Sequence, residues 1–217
     1  MKIKICCIGS QAEADLAISC GADALGLVSS MPSGPGVIGE GLIARIAAAV
    51  PPAVATFLLT SLQTADEIAA QQRKCRTNTV QICDRLERVE YARLREKLPG
   101  IALVQVIHVR DGRSVEEASS VAPLVDALLL DSGNQSLLVK ELGGTGRVHD
   151  WSVSRAICER VSVPVFLAGG LRPDNVAEAI ATVRPGGVDI CSGVRADGRL
   201  DERKLRAFIQ AARAAER

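Results

Sequence analysis

The chain alternates short apolar segments with longer amphipathic segments eight times, at a spacing of roughly 25 residues. The short segments are rich in β-branched residues, as strands are, and the longer ones repeat apolar residues at helical spacing. The predicted strands are Lys2–Ile8, Ala22–Val28, Ala53–Leu59, Thr79–Cys83, Ile101–Val109, Val125–Asp131, Val163–Ala168 and Val188–Ile190. Such alternation predicts an α/β protein with a parallel sheet, and eight units predict closure into a (β/α)8 TIM barrel. An open, doubly wound sheet is the structural alternative.

Each predicted strand is followed by a helical pattern. Predicted helices span Ser10–Cys20, Glu40–Val50, Ser61–Arg73, Arg85–Leu98, Ser114–Val121 and Asp201–Ala215, with two more running from a cap at Asp150 to Glu159 and from near Pro173 to Val183. Ser10 and Glu13 match a capping box, and Asp174 is expected in the first turn of the seventh helix. Because the chain has 217 residues, of which 47% are hydrophobic, we expect a single domain, residues 1–217, with a large core.

Charge and aromatic content argue against several kinds of partner. The 26 basic and 25 acidic residues nearly balance, and aromatic residues make up only 2% of the chain. Nucleic-acid-binding proteins typically have a basic surface and stacking residues, which this chain lacks. The longest apolar run, Ile46–Leu59, is interrupted by two prolines and is shorter than the roughly 18 residues that a membrane span needs. We therefore expect neither a nucleic-acid nor a membrane partner.

The cysteines indicate a reducing environment. They are Cys6, Cys7, Cys20, Cys75, Cys83, Cys158 and Cys191. Their odd number and irregular spacing, without a CxxC pair, predict neither a disulfide framework nor a zinc site. The N-terminal segment has no apolar stretch of signal-peptide length. A cytoplasmic location and a site without metal are therefore expected.

The stretch Val163–Val194 contains two strands that end in similar small-residue turns. Gly169 and Gly170 follow the seventh strand, and Ser192 and Gly193 follow the eighth. Backbone amides in such turns form anion-binding nests, and the loops after strands seven and eight of a (β/α)8 barrel are a common phosphate site. The pair of turns therefore predicts phosphate binding, the alternative being that each glycine only permits a tight turn.

Two reactive side chains stand at predicted strand ends, where barrel enzymes place their chemistry. In the first strand Ile3 and Ile5 share one parity and are expected to face the helices, so that Lys4 and Cys6 point into the barrel. Positive charge on Lys4 would favour a Cys6 thiolate able to act as a base, and the apolar run before Asp131 would favour a protonated carboxyl able to act as an acid. The alternatives are a packing cysteine and an aspartate that caps a helix or bonds to a loop.

A series of short motifs runs through nearly the whole chain. They are Lys4-Ile5-Cys6 with Ile8, Gly21–Gly26, Leu129–Asp131, Gly143–Gly146, Asp150-Trp151, Gly169–Leu171 with Pro173, Asn175 and Val176, and Val188-Asp189 with Ser192–Val194. In this order and combination the chain resembles the phosphoribosylanthranilate isomerase family of tryptophan biosynthesis.

The resemblance implies an aldose–ketose isomerase that needs no cofactor or metal, acting on a small phosphosugar, with a monomer or homodimer as its assembly. It would convert N-(5-phosphoribosyl)anthranilate to the 1-deoxyribulose 5-phosphate derivative by an Amadori rearrangement. Asp131 would protonate the ring oxygen, and Cys6 would then take the C2 proton of the resulting Schiff base. Residues expected to hold the phosphate are Gly144, Thr145, Gly146, Gly169, Gly170, Ser192 and Gly193. Asp189 is expected to contact the substrate.

The chain departs from the family pattern mainly at the anthranilate end. The family has an arginine for the anthranilate carboxylate in the loop after strand two, whereas Pro32–Gly36 contains no basic residue. Arg147, in the loop after strand six, could supply the missing charge and is a second expected substrate contact. The family's Gln-Leu-His-Gly motif after strand four reads Gln81–Asp84 here. A different phosphoribosyl or phosphosugar substrate, or binding without turnover, are therefore the functional alternatives.

Three single residues also differ. Cys7 stands where the family has a glycine, Cys191 where it has the first serine of a Ser-Ser-Gly turn, and Gln105 where a lysine is expected. The two histidines, His108 and His149, are interpreted as packed within a strand and within a loop, respectively.

Overall fold

The eight predicted strands form a closed parallel barrel. The computed structural model describes residues 1–144 and 146–216. The strands are β1 (Lys2–Ile5), β2 (Ala24–Val28), β3 (Ala55–Thr60), β4 (Thr79–Ile82), β5 (Ala102–His108), β6 (Ala127–Asp131), β7 (Val165–Leu167) and β8 (Gly187–Ile190). Each strand pairs in parallel with the next, and β8 pairs with β1 to close the ring. The TIM-barrel prediction is therefore confirmed, and the open sheet is not formed.

Within the described residues, eight α-helices alternate with the strands. They are α1 (Gln11–Ser19), α2 (Glu40–Ala49), α3 (Ala65–Cys75), α4 (Arg88–Lys97), α5 (Arg113–Val121), α6 (Trp151–Arg160), α7 (Val176–Val183) and α8 (Glu202–Ala215). Short 3-10 turns occur at Ala122–Leu124 and Ser192–Val194. A small antiparallel hairpin, β9 (Arg195–Ala196) and β10 (Arg199–Leu200), precedes α8. In the part of the chain that the structure describes, no helix is long and apolar enough to cross a membrane.

Two apolar clusters follow from the alternation of side chains along the strands. The larger one lies between the sheet and the helices and contains the outward residues of each strand, including Ile3 and Ile5 of β1. The smaller one fills the barrel and includes Cys6, Phe57 and Phe166. The predicted orientation of β1 is thus correct. Each fully buried aliphatic side chain of the outer cluster contributes roughly 1.5–3 kcal/mol, which makes this layer the main source of stability.

The floor of the barrel contains a buried ion pair among aromatic rings. Lys4 of β1 and Asp189 of β8 are register neighbours, and Lys4 Nζ lies 2.9 Å from Asp189 Oδ1. The Lys4 ammonium also lies 5.2 Å from the ring centroid of Phe57, which packs edge-on against Phe166. Gly187 leaves room for the Phe166 ring, because a Cβ there would come within 2.6 Å of it. The pair ties β1 to β8 at the closing seam.

Local differences from the predicted elements have identifiable causes. Helix α7 begins at Val176, and the Asn175 side chain before it accepts from Arg172 N instead of capping the helix. Asp174 pairs with Arg172 in the same turn, so the predicted start near Pro173 was too early. At α1 the Glu13 amide bonds the Ser10 hydroxyl as a capping box requires, but the Glu13 carboxylate accepts from Gly9 N rather than from Ser10 N. The β9–β10 hairpin was not predicted, because strands of two residues carry no periodic signal.

Candidate active site

A cavity opens at the carboxyl ends of the strands. Its lining includes most of the residues singled out in the sequence: Cys6, Asp131, Gly144, Gly146, Gly169, Gly170, Asp189 and Ser192. These residues come from the ends of β1, β6, β7 and β8 and the loops that follow them. Because parallel strands end on the same face, residues far apart in sequence converge there.

Cys6 lies at the mouth of the barrel, at the end of β1 and against Gly26 of β2. Its amide donates to the Ile190 carbonyl at 2.8 Å, which continues the β1–β8 pairing beyond the regular strand. A Cβ on Gly26 of β2 would lie 2.7 Å from Cys6 Sγ and 3.2 Å from Lys4 Nζ. The Cys6 thiol and the Lys4 ammonium therefore both lie against the β2 backbone at Gly26, where there is no side chain. The arrangement places the Lys4 ammonium and the Cys6 thiol on the same side of the barrel interior.

Lys4 is fully buried, and its charge depends on Asp189. Burial alone would lower the pKa of Lys4, but the neighbouring Asp189 carboxylate outweighs it and holds that pKa above its usual value. Lys4 is therefore an ammonium at neutral pH. The Asp189 carboxylate also lines the cavity, so the ion pair forms part of its floor.

Asp131 ends β6 and faces the loop that follows it. Its Oδ1 accepts a 2.7 Å hydrogen bond from the backbone amide of Ser132, while a Cβ on Gly143 would lie 2.7 Å from its Oδ2. Gly143 has a φ of 135°, which favours glycine, and its lack of a side chain leaves space beside the carboxyl. Oδ1 is thus held by a hydrogen bond from the backbone, and Oδ2 lies next to Gly143 of the loop.

Three turns of small residues form the other end of the cavity. Gly144, Gly146, Gly169 and Gly170 all have positive φ values, between 63° and 81°. The bare Cα of Gly146 faces Ser192, since a Cβ would lie 3.8 Å from its Oγ. Successive amides in such conformations form anion-binding concavities. These turns have the backbone geometry of an anion-binding site, and phosphate binding by them stays a prediction.

Some predicted site residues lie elsewhere. Gly193 does not line the cavity but packs against the turn after β7, where a Cβ would lie 2.2 Å from the Leu171 carbonyl oxygen. The Arg147 guanidinium pairs with Glu141 and is largely solvent-exposed. Thr145 falls outside the described residues. The cavity thus brings together most, but not all, of the predicted set.

The remaining end of the cavity is apolar. It is lined by Val28, Met31, Leu59, Cys83 and Leu142, with Ser33, Gly34 and Pro35 of the loop after β2. Among the cavity-lining residues that the structure describes, none is basic. A flat aromatic group would fit such a lining by its shape and polarity.

Sequence reasoning did not assign a site role to Gln81. This residue of β4 is buried and lines the cavity, and its Oε1 has no hydrogen-bond partner among the described residues. A buried amide oxygen without a partner is costly, so a ligand donor at this point would be favourable. The signal available in the sequence was its inward parity in β4.

Other polar residues near the mouth have structural partners. Gln105 faces outward and accepts from the Tyr91 hydroxyl at 2.7 Å, so this departure from the family pattern lies outside the cavity. Asp84 pairs with Lys140. His108 Nε2 lies 2.9 Å from the Cys83 carbonyl oxygen, and His149 Nε2 lies 2.7 Å from Ser154 Oγ. Burial lowers the pKa of His149, which keeps it neutral.

Comparisons with known proteins identify the family of this chain. The sequence model of the N-(5'phosphoribosyl)anthranilate (PRA) isomerase family matches residues 3–211. The N-(5'-phosphoribosyl)anthranilate isomerase of Methanocella arvoryzae is 37% identical over 213 residues, covering 98% of each chain. That of Haloferax volcanii is 35% identical over 216 residues, covering 99% of this chain and 94% of the relative.

Solved structures give the same answer for the fold. A phosphoribosyl anthranilate isomerase in complex with reduced 1-(o-carboxyphenylamino)-1-deoxyribulose 5-phosphate superposes with a TM-score of 0.79 at 28% identity, covering 99% of both chains. A monomeric form of the dimeric enzyme from Thermotoga maritima gives 0.80 at 25% identity with the same coverage. With matches over its whole length and the expected residues at the barrel mouth, this chain belongs to the N-(5'-phosphoribosyl)anthranilate isomerase family.

Proposed function

We propose that this protein catalyses the Amadori rearrangement of N-(5-phosphoribosyl)anthranilate to the 1-deoxyribulose 5-phosphate derivative. The observation that carries the proposal is a single cavity at the catalytic face of the barrel that holds a thiol, a carboxyl and glycine turns at one end and an apolar wall at the other. The glycine turns would receive the phosphate of this substrate, the acid and base would act on its ribose, and the apolar wall would receive its anthranilate ring.

Asp131 acts as the general acid in this proposal. Its free oxygen lies beside Gly143, where the ribose ring oxygen can approach it. Protonation of that oxygen opens the ring and leaves a Schiff base between C1 and the anthranilate nitrogen. The hydrogen bond from Ser132 N fixes the other carboxyl oxygen, which orients the proton toward the substrate.

Cys6 acts as the general base. It removes the proton from C2 of the Schiff base, which gives an enolamine that tautomerises to the ketose. The Lys4 ammonium lies next to the Cys6 thiol, and Asp189 keeps Lys4 charged and in place. We propose Asp189 as a substrate contact as well, since it lines the cavity.

The glycine turns bind the phosphate in this proposal. Amides at Gly144, Gly146, Gly169, Gly170 and Ser192 line the cavity and would donate to phosphate oxygens, with Thr145 and Gly193 adjoining them in sequence. Gly170 also lets the β6–α6 loop approach β7, because a Cβ there would lie 2.7 Å from Val148 N. The loop after β6 and the turn after β7 therefore pack closely against each other.

The apolar end receives the anthranilate ring, and its carboxylate needs a cation. We propose Arg147 for this role because Glu141, its ion-pair partner, directly precedes Leu142 and Gly143 of the cavity lining. Exchange of Glu141 for the substrate carboxylate would bring the guanidinium to the mouth. Arg147→Gln is then expected to raise KM about tenfold with little change in kcat, a loss that corresponds to one charged hydrogen bond. Arg172→Gln, at another exposed pair, is the matched control.

We infer a cytoplasmic location and a small-molecule partner. All seven cysteines are free thiols, as expected for a protein of a reducing compartment. A monomer or a homodimer is the expected assembly, since a relative from Thermotoga maritima is described as dimeric. Light scattering during size-exclusion chromatography distinguishes the two.

Turnover of N-(5-phosphoribosyl)anthranilate by the purified protein, followed by the loss of anthranilate-type fluorescence, tests the proposal. Cys6→Ser and Asp131→Asn are each expected to lower kcat at least a hundredfold, the usual contribution of a general acid or base. Cys158→Ser on α6 and Asp15→Asn on the exposed face of α1 are matched controls outside the cavity, expected to retain activity. Full activity in Cys6→Ser or Asp131→Asn, or no turnover by the wild-type protein, would contradict the proposal.

A further inference from the structure

Two cysteines meet at the seam between β1 and β8. Cys7 follows β1 and Cys191 follows β8, and their Sγ atoms lie 2.6 Å apart in hydrogen-bonding contact. Cys7 is buried, whereas Cys191 is partly exposed, and both line the cavity. The two sulfurs are therefore in contact with each other and open to small solutes entering the mouth.

Both cysteines stand at positions where the chain departs from the family pattern, which has a glycine and a serine there. The two departures are 184 residues apart in sequence but touch in space. Because the two departures meet at one contact, the chemistry open to that pair of thiols is the question. Neither residue is needed by the proposed acid/base steps.

The backbone at Cys7 is unfavourable for any residue other than glycine. Its φ is 61°, in the left-handed region, which costs a non-glycine residue roughly 1–2 kcal/mol. The side chain is also crowded, since a Cβ on Gly36 would lie 2.5 Å from Cys7 Cβ. A strained cysteine in place of glycine is a reason to seek a function for its thiol.

Cys7 and Cys191 are diagonal neighbours at the end of the β1–β8 seam, because the register pairs Ile5 with Ile190 and so places Cys6 beside Cys191. Disulfides join residues whose Cα atoms are about 4.4–6.8 Å apart. The Cys6 amide bonds the Ile190 carbonyl, so the pairing of β1 with β8 extends to the residues next to Cys7 and Cys191. A Cys6–Cys7 bond is disfavoured, because adjacent Cα atoms lie only about 3.8 Å apart.

Arg195 prepares Cys191 for reaction. Its guanidinium bonds the Cys7 carbonyl and the Glu13 carboxylate, which fixes it beside the sulfur pair. The hydrogen bond with Cys7 lowers the pKa of Cys191, burial opposes this, and the charge of Arg195 adds to the lowering. Cys191 is therefore the better nucleophile of the two, and Cys7 is the thiol that keeps its proton.

We propose that Cys7 and Cys191 form a redox-sensitive modification site, at which a peroxide joins the two thiols in a disulfide and lowers turnover. The effect on turnover rests on the proposed isomerase function, whereas the formation of the bond does not. A transient disulfide of this kind is the form found in reducing compartments.

The reaction balances with hydrogen peroxide as oxidant. The Cys191 thiolate attacks one peroxide oxygen, the O–O bond breaks, and the products are a Cys191 sulfenic acid and, after protonation, water. The Cys7 thiol then attacks that sulfur, the S–S bond forms, the S–O bond breaks, and the hydroxyl leaves as a second water with the Cys7 proton. Two thiols are oxidised and one peroxide is reduced. A dithiol reductant reverses the bond by thiol–disulfide exchange.

Bond formation draws the two strand ends together beside the reacting groups. The sulfurs must close from 2.6 Å to the disulfide length of about 2.05 Å, and Cys6 and Ser192 directly adjoin the two cysteines. Displacement of a catalytic group by 1 Å can cost about a hundredfold in rate, so we expect the smaller shift here to lower kcat/KM about tenfold.

The test is intact mass and peptide mapping after treatment with hydrogen peroxide and blocking of free thiols. We expect wild-type protein to lose two hydrogen atoms and to yield a cross-link between the peptides that contain Cys7 and Cys191. Cys6→Ser should still form it, which identifies Cys7 as the partner, whereas Cys7→Ser and Cys191→Ser should not. Cys158→Ser, at a partly exposed cysteine of α6, is the matched control and should behave as wild type.

Activity is measured on the same samples relative to the reduced form of each variant. Wild-type protein and Cys158→Ser should lose about tenfold in kcat/KM and recover with dithiothreitol, while Cys191→Ser should show no reversible loss. Absence of the cross-link in wild type, or a cross-link without loss of activity, would overturn the proposal. Lack of turnover in the reduced protein would instead count against the isomerase function, because the cross-link is read by mass.

Discussion

Gly26 determines how close the proposed base can stand to β2. A Cβ at this position would lie 2.7 Å from Cys6 Sγ and 3.0 Å from Cys6 Cα, so the thiol and its backbone would both have to move. We expect Gly26→Ala to lower kcat at least tenfold, because small displacements of a reacting group are costly. Steady-state kinetics measure this effect, and circular dichroism verifies that the variant is folded.

Gly41→Ala is the matched control for that change. Gly41 lies on the exposed side of α2, where a Cβ would meet only the end of Arg45 at 3.8 Å. Alanine is favoured over glycine in a helix by roughly 0.5–1 kcal/mol, so this variant should be more stable and equally active. If Gly26→Ala kept full activity, the position of the thiol would not matter as we propose.

The Lys4–Asp189 pair can be separated into a structural and a catalytic contribution. Asp189→Asn leaves the fully buried Lys4 ammonium without its carboxylate, and we expect it to lower the free energy of unfolding by about 3–5 kcal/mol. The double variant Lys4→Met with Asp189→Leu removes both charges and should recover much of that loss. Urea unfolding measures both effects. Because Lys4 lies next to the proposed base Cys6, activity should stay low in the stable double variant.

At the scale of elements, an ion pair fastens α1 to the hairpin after β8. The Glu13 carboxylate accepts hydrogen bonds from Gly9 N, Leu200 N and Arg195. Burial raises the pKa of Glu13, but these hydrogen bonds outweigh it, so the folded pKa is below the usual 4.5. A depressed carboxyl pKa stabilises the fold above the unfolded value, and this stabilisation is lost as pH falls through the folded pKa.

Glu13→Gln should therefore be destabilising at neutral pH and much less so in acid. We expect a loss of roughly 2 kcal/mol at pH 7, the value of a hydrogen bond to a charged group, and a much smaller difference near pH 3, where the wild-type carboxyl is increasingly protonated. Urea midpoints at both pH values provide the measurement. Glu96→Gln on the exposed face of α4 is the control. An equal loss at both pH values would mean that Glu13 acts by shape rather than charge.

The elements differ in how well their sequence predicts them. The end of β6 at Asp131 was predicted correctly, because the apolar run stops there, while its predicted start at Val125 was two residues early. The start of α7 was misplaced, since Pro173 suits both a first helical turn and the β-turn that the chain forms. At the site, Cys6 and Asp131 were predictable from parity and strand ends. The contact of Cys7 with Cys191 was not, because it depends on one left-handed backbone angle.

For the whole molecule, barrel closure depends on the two ends of the chain meeting. Helix α8 packs against α7, and Arg213 near its end bonds the Met1 carbonyl and the Asp23 carboxylate. The C-terminal helix thus covers the seam where β8 pairs with β1. The alternation of strands and helices predicts eight units, but the seam itself forms only when the first and last units come together.

A cavity made under that seam should destabilise the entire barrel. Phe208 of α8 is fully buried in the outer core, and Phe208→Ala is expected to cost about 3–5 kcal/mol. Because loss of the seam would leave β1 and β8 as unpaired edge strands, we expect the loss to be global. Fluorescence of Trp151, the only tryptophan, at the start of α6 should then shift to lower urea together with far-ultraviolet circular dichroism. Arg206→Ala, on the exposed side of α8, should change stability by less than about 0.5 kcal/mol. Loss of helical signal before any change at Trp151 would instead mean that α8 unfolds alone and that the other seven units hold the ring closed without it.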